Sequence, residues 1–390
     1  MPFNKSQVSW NRLRNDSSSQ CNSPKLGHKW KQYQGINNWD GMLDPLDDIL
    51  RREILRYGQF VQAAYRSFDF DTASSTYARC RYPKSTLLAR SGVRDTGYRI
   101  TRNLRATCGI SLPKWVDKMP MVKFSLSSWI GYMAVCQDRD EIARLGRRDV
   151  VISLRGTATC LEWLENARAA LTHLPDDMGG EDSEAMVERG FLSLYVSRTL
   201  KTPSLREMIR DEIKKIIQSY GEEPLSLTIT GHSLGAALAI LSAYDIAANF
   251  KHAPMMVTVV SFGGPRVGNE SFRCRLEQSG TKILRIVNSD DVITKVPGFV
   301  ARSDDVAENG AAHVGSLPGW LQRRVEDMRW VYADVGQELR LSSRESPYLK
   351  NLDLATCHDL NTYLQLVNGF VSSTCPYTSK PTQYTAQAWL

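Results

Sequence analysis

The most regular alternation of apolar and polar residues in the chain lies at residues 225–230. In "LSLTIT" every second residue is leucine or isoleucine, and the residues between them are serine or threonine. A period of two that includes β-branched residues predicts a β-strand. The stretch that follows at residues 235–250, "GAALAILSAYDIAANF", is rich in alanine and leucine and predicts a helix. The small Ala236 and Ala237 in its first turn would let this helix pack closely on the strand.

Comparable patterns recur along the chain and alternate between strand and helix. Three further apolar segments predict strands that end in turns: 149–157, 255–268 and 281–291. Two stretches place apolar residues on one helical face: the second part of 37–68, and 205–220. The segment 72–120 shows neither period and is predicted to be irregular. Strands that alternate with helices indicate an α/β fold, in which helices cover both faces of a mostly parallel sheet.

Length and composition are those of a globular protein with one large domain. The 390 residues are 42% hydrophobic, which is enough to bury a large core. We predict a single domain over residues 31–372 and a loose C-terminal tail over residues 373–390. Residues 1–30 are rich in Ser, Asn and Gln, carry mostly basic charges, and lack the apolar core of a secretory signal. They are predicted to be either a disordered tail or the remnant of a transit peptide.

Charge and apolar runs bear on the partners of the protein. No apolar run reaches the ~18 residues that a membrane span needs, because Asp245 interrupts the longest candidate, so a soluble or peripheral protein is expected. The net charge is +7, but the lysines and arginines are scattered among 42 acidic residues and do not cluster with aromatic residues. This distribution argues against nucleic acid as a partner and favours the surface of an anionic lipid layer.

The cysteines do not form a recognisable framework. There are eight of them, far apart in the chain and without a C-x-x-C pair. Neither a zinc site nor a dense set of disulfides is indicated, and a reducing compartment fits this pattern best.

A serine lies between two glycines where the strand at 225–230 meets the helix at 235–250. The residues Gly231-His232-Ser233-Leu234-Gly235 fit the G-x-S-x-G elbow, whose tight turn requires neighbours without side chains. A five-residue pattern also occurs by chance, and the alternative is a solvent-facing turn serine. The strand before it and the small-residue helix after it favour a nucleophile. A serine hydroxyl is a poor nucleophile at neutral pH, so a histidine base and an orienting carboxylate are required.

The candidate base is one of six histidines. In elbows of this kind the chain order is serine, then acid, then histidine. His252 follows the elbow helix too closely to leave room for a strand that carries the acid, so His313 and His358 remain. No regular element is predicted around His313, whereas His358 begins the predicted helix "CHDLNTYLQLVNGF". We therefore predict His358 as the base.

The candidate acid follows the strand "ILRIVN", which ends at Asp290 and Asp291. Functional groups of open α/β sheets collect at the carboxyl ends of strands. A pair of turn-forming aspartates is the alternative. An acid is favoured here because this strand lies just beyond the nucleophile strand. The pattern alone does not decide between Asp290 and Asp291.

Several of these motifs together resemble a known family. The segments "GHSLGAALA", "SFGGPRVGN", "RIVNSDDVI" and "CHDLNTYLQLVNGF" are similar to those of class 3 lipases. The segments "WKQYQGINNWDGMLDPLDDILRREILRYGQFVQAAY" and "RRDVVISLRGTATCLEWLEN" resemble the plant phospholipase A1 family, in particular its plastid class I branch. The likeness runs from about Trp30 to Phe370. It implies an α/β-hydrolase fold with a lid segment, Asp291 as the acid and His358 as the base.

The remaining acid candidate and the oxyanion donors follow from the same comparison. Class 3 lipases run almost directly from the acid into Val-Pro, but three residues intervene here, so Asp290 is kept as the reserve. The backbone N–H of Leu234, directly after the nucleophile, is one expected donor to the oxyanion. The resemblance places the second donor at Thr157. It also places the lid at "CLEWLENARAALTHLP", where the alternative is an ordinary surface helix. Trp163 is the expected lipid contact of such a lid, because indole combines a large apolar area with a polar N–H.

The resemblance implies a serine acyl-hydrolase that releases fatty acid from the sn-1 position of phospholipids, and also acts on galactolipids or triacylglycerol. Its products would supply oxylipin and jasmonate synthesis. No cofactor or metal is expected. The expected partners are the lipid substrate and a membrane or lipid-droplet surface, without nucleic acid, and the oligomeric state is left open. The expected location is the plastid, with the cytoplasm as the alternative.

Two other functions are compatible with the sequence. The first is a lipase-like signalling or scaffold protein in which the fold is kept and the chemistry is idle. The second is an acyltransferase that uses the same three residues but delivers the acyl group to an alcohol. The complete set of Ser233, Asp291 and His358 argues against the first.

Overall fold

The fold is built around a large β-sheet. The computed structural model describes residues 25–93, 96–107, 127–156, 170–180, 184–295, 331–347, 349 and 352–377. The strands within these residues are β1 (Tyr98–Thr107), β2 (Ser127–Cys136), β3 (Arg148–Leu154), β4 (Leu171–His173), β5 (Met186–Glu188), β6 (Leu225–His232), β7 (Met255–Phe262), β8 (Lys282–Asn288) and β9 (Gln337–Leu341). Strands β4 and β5 form a small antiparallel ribbon, and the others form one sheet in the order β1-β2-β3-β6-β7-β8-β9.

The main sheet is mostly parallel. Neighbouring strands from β3 to β9 are parallel, whereas β2 is antiparallel to both β1 and β3. In the register, Leu154 pairs with Gly231 and His232 pairs with Phe262, so β3, β6 and β7 end at the same level. The loops that leave these strands therefore meet at one edge of the sheet.

Helices cover both faces of the sheet. Those of the described residues are α1 (Trp30–Tyr33), α2 (Asp48–Ser67), α3 (Leu87–Arg90), α4 (Arg139–Leu145), α5 (Arg189–Val196), α6 (Leu205–Tyr220), α7 (Leu234–Asn249), α8 (Glu270–Gln278), α9 (Leu354–His358) and α10 (Leu360–Gly369). Buried residues of α5, α6, α7 and α8 form the core on one face, and those of α2 and α10 form the core on the other. This three-layer architecture confirms the predicted α/β-hydrolase fold.

The predicted helices form because their apolar residues lie on the buried side. Helix α2 is capped by the Asp47 carboxylate and buries Leu50, Ile54 and Phe60. Helix α6 begins with a capping box between Ser204 and Glu207, which satisfies backbone donors at its start. Helix α7 is buried at every position from 234 to 246, and a helix that is apolar all round is suited to such a place.

Three strands of the main sheet were not predicted, and neither was the ribbon of β4 and β5. Strand β1 lies in the segment expected to be irregular. Its period is hidden because it is an edge strand whose arginines are exposed or half-buried, and because its pairing with β2 shifts register twice. Strand β2 is buried almost throughout, so it lacks the alternation of a half-exposed strand. Strand β9 is a short edge strand in which only Leu339 and Leu341 are buried apolar residues. Near the end of the segment "CLEWLENARAALTHLP", for which a lid or a surface helix was expected, residues 171–173 form β4.

The packed part of the chain is wider than the predicted 31–372. Leu26 and Trp30 are buried, and the Leu26 N–H donates to the Arg144 carbonyl. Beyond residue 372, the Ser373 N–H donates to Asp44, and the Tyr377 hydroxyl donates to the Ser342 carbonyl. Both predicted boundaries were placed inside segments that pack on the domain. In the described part of the chain, none of the helices combines the length and the apolar character needed to cross a membrane.

A buried charge cluster lies beneath α2, at the start of β3. The Asp149 carboxylate is fully buried and accepts hydrogen bonds from the Tyr98 hydroxyl at 2.7 Å and the Ser226 hydroxyl at 2.7 Å. Arg56 lies 3.2 Å and Arg147 3.8 Å from it. Burial alone would raise the pKa of Asp149, but the two guanidinium groups and these hydrogen bonds outweigh it, and the pKa lies below its ordinary value.

We expect Asp149→Asn to lower the free energy of unfolding at pH 7 by about 3 kcal/mol, because it breaks a buried ion pair. The pKa of Asp149 is lower in the folded than in the unfolded chain. Its contribution is therefore complete above the unfolded pKa of about 4 and is lost as pH falls through the folded value. Urea unfolding of wild type and variant should show the difference shrinking below about pH 4.

The control for this prediction is Glu270→Gln, which removes an exposed ion pair with Arg273 and should change stability by less than about 1 kcal/mol. A difference between wild type and Asp149→Asn that does not change with pH would contradict the electrostatic explanation.

Candidate active site

Ser233 occupies the turn between β6 and α7 in a conformation that residues with side chains rarely adopt. Its φ and ψ are 57° and −126°. A Cβ atom at Gly231 would lie 2.3 Å from the Gly235 carbonyl oxygen, and one at Gly235 would lie 2.4 Å from the Leu154 carbonyl oxygen. Both positions therefore require glycine, as the sequence pattern predicts, because the elbow is pressed against β3 and its own helix.

His358 contacts the serine directly. Its Nε2 lies 2.8 Å from the Ser233 Oγ. The expectation that His358 begins a helix is wrong: it is the last residue of α9, and α10 begins at Leu360. The break has a local cause, because the Asp359 carboxylate accepts hydrogen bonds from the N–H groups of Asn361 and Thr362 and caps α10.

Asp291 contacts the other side of the imidazole. It follows β8 and is fully buried, and its Oδ2 lies 2.7 Å from His358 Nδ1. Its Oδ1 accepts a hydrogen bond of 2.9 Å from the Ile293 N–H. The structure thus brings together Ser233, His358 and Asp291, which we call the triad.

Asp290, the reserve candidate for the acid, points to a different part of the site. Its carboxylate lies 3.1 Å from the Arg344 Nε and accepts hydrogen bonds from the Ser342 hydroxyl and the Arg344 N–H. These partners belong to the segment after β9 and hold Asp290 there rather than at the imidazole.

Two further residues, which were not predicted, support the acid and the segment that carries the base. The Tyr363 hydroxyl donates to Asp291 Oδ2 at 2.7 Å, and burial together with the Asp291 charge raises the pKa of Tyr363 well above its ordinary value, so the hydroxyl keeps its proton. Asn288 Nδ2 donates to the Cys357 carbonyl at 2.9 Å and ties the end of β8 to the residue before the base. The only sequence signal for Tyr363 was its place in the "CHDLNTYLQLVNGF" motif.

Of the two predicted oxyanion donors, Leu234 lies within the described residues. Leu234 is the first residue of α7, so its N–H belongs to the unsatisfied donors at a helix start. Thr157, Trp163 and most of the predicted lid lie in 157–169, outside the described residues. The chain that leads to Thr157 is described: a Cβ at Gly156 would lie 2.9 Å from the Ser233 Cβ, so this loop passes directly beside the serine.

The arrangement has the parts that acyl transfer requires. The imidazole can take the hydroxyl proton through Nε2, while the carboxylate at Nδ1 fixes its orientation and stabilises the imidazolium that forms. Ser233 directly precedes α7, and the backbone donors and helix dipole at the start of that helix favour negative charge.

Comparison with known proteins gives matches over most of the chain. The family model for lipase (class 3) matches residues 151–301. The chain is 64% identical to "Phospholipase A(1) DAD1, chloroplastic" of Arabidopsis thaliana, over 90% of this chain and 79% of that protein. It is 38% identical to "Galactolipase DONGLE, chloroplastic" of the same organism, over 88% and 70%. Among solved structures, the Rhizomucor miehei lipase propeptide complex aligns with a TM-score of 0.44 at 15% identity, over 85% of this chain and 82% of that one.

Proposed function

The chain belongs to the class 3 lipase family, and from this premise we propose that it is a serine acyl-hydrolase that releases fatty acid from the sn-1 position of phospholipids. The observation that carries the proposal is the triad. The serine oxygen, the imidazole and the buried carboxylate form consecutive contacts of 2.8 and 2.7 Å, and the serine is held in the strained elbow turn.

The reaction proceeds in two steps through an acyl-enzyme. Ser233 Oγ attacks the ester carbonyl carbon as His358 Nε2 takes its proton, and the N–H groups of Leu234 and Thr157 stabilise the oxyanion. His358 then gives the proton to the departing lysophospholipid oxygen. In the second step His358 takes a proton from water, the resulting hydroxide attacks the acyl-enzyme, and the proton returns to the serine as the fatty acid leaves.

The similar proteins support the substrate class and the location. One is named a phospholipase A(1) and another a galactolipase, and both are named chloroplastic. We take phospholipids as the main substrate, galactolipids as the second, and the plastid as the location. The protein meets its substrate as a peripheral protein at a membrane or lipid-droplet surface. The supply of oxylipin precursors stays a prediction.

The proposal is tested with phosphatidylcholine that carries different acyl chains at its two positions. The expected products are the free sn-1 acid and the lysophospholipid that keeps the sn-2 chain. Release of the sn-2 chain would contradict the stated specificity. Transfer to an added alcohol in preference to water would favour an acyltransferase, and a correctly folded protein without turnover would favour the idle scaffold. A parallel assay with a galactolipid measures the second substrate.

We also propose that residues 160–175 include a lid, whose apolar groups cover the pocket in water and contact lipid at an interface. Trp163 is the expected contact, since indole combines a large apolar area with a polar N–H suited to the headgroup region. Trp163→Ala should therefore reduce hydrolysis of vesicle phospholipid much more than hydrolysis of a short-chain soluble ester. Equal losses on the two substrates would show that Trp163 serves folding or the pocket, and the lid assignment would be dropped.

A further inference from the structure

A second series of hydrogen bonds joins three backbone segments around the triad. The Gly156 N–H donates to the Tyr65 hydroxyl oxygen at 2.8 Å. The same hydroxyl lies 2.7 Å from His232 Nδ1, and His232 Nε2 lies 2.8 Å from the His358 carbonyl oxygen. The series therefore connects the loop after β3, the residue before the nucleophile, and the backbone of the base.

The direction of each bond follows from its partners. A backbone carbonyl can only accept, so His232 Nε2 carries a proton. Burial lowers the pKa of His232 well below its ordinary value, and the neighbouring His358 lowers it further, so the ring is neutral and Nδ1 is an acceptor. Burial raises the pKa of Tyr65, so its hydroxyl keeps its proton and donates to Nδ1. Each of the three donors thus has its own acceptor.

Tyr65, His232 and Gly156 are packed too closely to rearrange without losing a hydrogen bond. His232 is 5% exposed, and its ring centroid lies 4.8 Å from that of His358. A Cβ atom at Gly156 would lie 2.3 Å from the Tyr65 hydroxyl oxygen and 2.9 Å from the His232 carbonyl oxygen. The loop, the tyrosine and the elbow therefore occupy one tightly filled volume, in which a lost bond leaves a buried polar group without a partner.

We propose that Tyr65 and His232 are positioning residues that fix the loop at Gly156 and the backbone of His358 relative to Ser233. The inference rests on the proposed function. The triad contacts hold only the side chains of the base and the acid, whereas the series holds the backbones from which the base and the oxyanion loop project. Thr157, the predicted second oxyanion donor, follows Gly156 directly, so the bond to Tyr65 sets where that donor begins.

Tyr65→Phe removes the shared hydroxyl and is expected to lower kcat on a soluble ester by about 10-fold, with KM changed less than about two-fold, because a displaced donor weakens transition-state stabilisation. The matched control is Tyr57→Phe, eight residues earlier on α2. Its hydroxyl is also buried and accepts from Gln34 and Arg147, but this network lies away from the triad. Tyr57→Phe should lower the melting temperature and leave kcat unchanged.

A second measurement distinguishes a positioning role of Tyr65 from a merely structural role in packing. Sulfur accepts hydrogen bonds poorly, so a thionoester depends less on the oxyanion donors than the matching oxygen ester. The ratio of kcat/KM for the oxygen ester to that for the thionoester should fall in Tyr65→Phe and stay at the wild-type value in Tyr57→Phe. A merely structural role of Tyr65 would lower both rates together and leave the ratio unchanged.

Substitutions at His232 test the two halves of the series. His232→Asn keeps an acceptor near the Nδ1 position, His232→Gln keeps a donor near the Nε2 position, and His232→Leu keeps neither. Both amide variants should retain more kcat than the leucine variant. The loss in a Tyr65→Phe, His232→Leu double variant should be smaller than the product of the single losses, because the two residues act in one series.

Unchanged kcat and an unchanged ester ratio in Tyr65→Phe would overturn the positioning role, and so would strictly multiplicative losses in the double variant. These failures are distinguishable from failure of the proposed function. If Ser233→Ala is inactive while Tyr65→Phe behaves as wild type, the hydrolase assignment stands and only the positioning role is lost. If Ser233→Ala keeps its activity, both are lost.

Discussion

Ser233→Ala is expected to lower kcat for phospholipid hydrolysis by about 10³-fold or more, since it removes the atom that forms the acyl-enzyme. The substitution deletes one oxygen and leaves both flanking glycines in place, so the elbow should keep its conformation and the melting temperature should stay close to that of wild type. The measurement is the initial rate of fatty acid release from phosphatidylcholine, with circular dichroism as the check on folding.

A matched control for the serine lies on the helix that follows it. Ser242 is fully buried in α7, where its hydroxyl donates to the Leu238 carbonyl at 2.7 Å. Ser242→Ala likewise removes one hydroxyl oxygen, from a serine within α7, and should leave kcat unchanged. Near-normal activity of Ser233→Ala, or an equal loss in both variants, would contradict the assignment of the nucleophile.

Asp291→Asn is expected to lower kcat by about 10⁴-fold, because a neutral amide stabilises neither the required imidazole tautomer nor the imidazolium. Asp290→Asn provides the comparison. It exchanges the adjacent carboxylate, whose partners are Ser342 and Arg344, and should change kcat by less than about 10-fold because those contacts lie outside the triad. Both variants are measured in one assay on the same soluble ester. A larger loss in Asp290→Asn would move the acid by one residue.

The order of elements around the nucleophile could be predicted because local pattern and tertiary structure agree there. The alternation in β6 predicts a strand, and the paired glycines predict a tight turn. The structure explains both glycines, because a Cβ atom at Gly231 or Gly235 would lie 2.3 or 2.4 Å from a backbone carbonyl oxygen. In the main sheet, β1 and β2 were missed because their place in the sheet obscures the alternation of apolar and polar residues. Strand β1 carries arginines along an edge, and β2 is buried on both faces, so neither shows a clean period of two.

The choice between Asp290 and Asp291 shows a different limit of sequence reasoning. Both follow β8, and one residue decides which side chain faces the imidazole. That register is set by the short 3₁₀ turn Val292–Lys295, in which the Thr294 hydroxyl donates to the Asp291 carbonyl, and by the segment after β9 that binds Asp290. No periodic pattern reports either contact. The family resemblance supplied the choice that the residues themselves left open.

The positioning residues lie beyond local pattern altogether. Tyr65 and His232 are 167 residues apart in the chain, and His232 and His358 are 126 apart. In the sequence, Tyr65 looks like one more residue of an amphipathic helix, and His232 occupies a free position of the elbow motif. Only the fold brings them together, because α2 and α10 pack on the same face of the sheet, and α2 ends and α10 begins near the elbow.

The central claim, that Ser233 is the nucleophile of a lipid acyl-hydrolase, is tested most directly by covalent labelling with a phospholipid-like phosphonate ester. The phosphonate mimics the tetrahedral intermediate and is attacked by an activated serine. Mass spectrometry of the digested protein should find one adduct per chain on the peptide that contains Ser233, formed in proportion to the loss of phospholipase activity and absent from Ser233→Ala. Loss of activity with the label on another residue, or full activity with Ser233 labelled, would contradict the account.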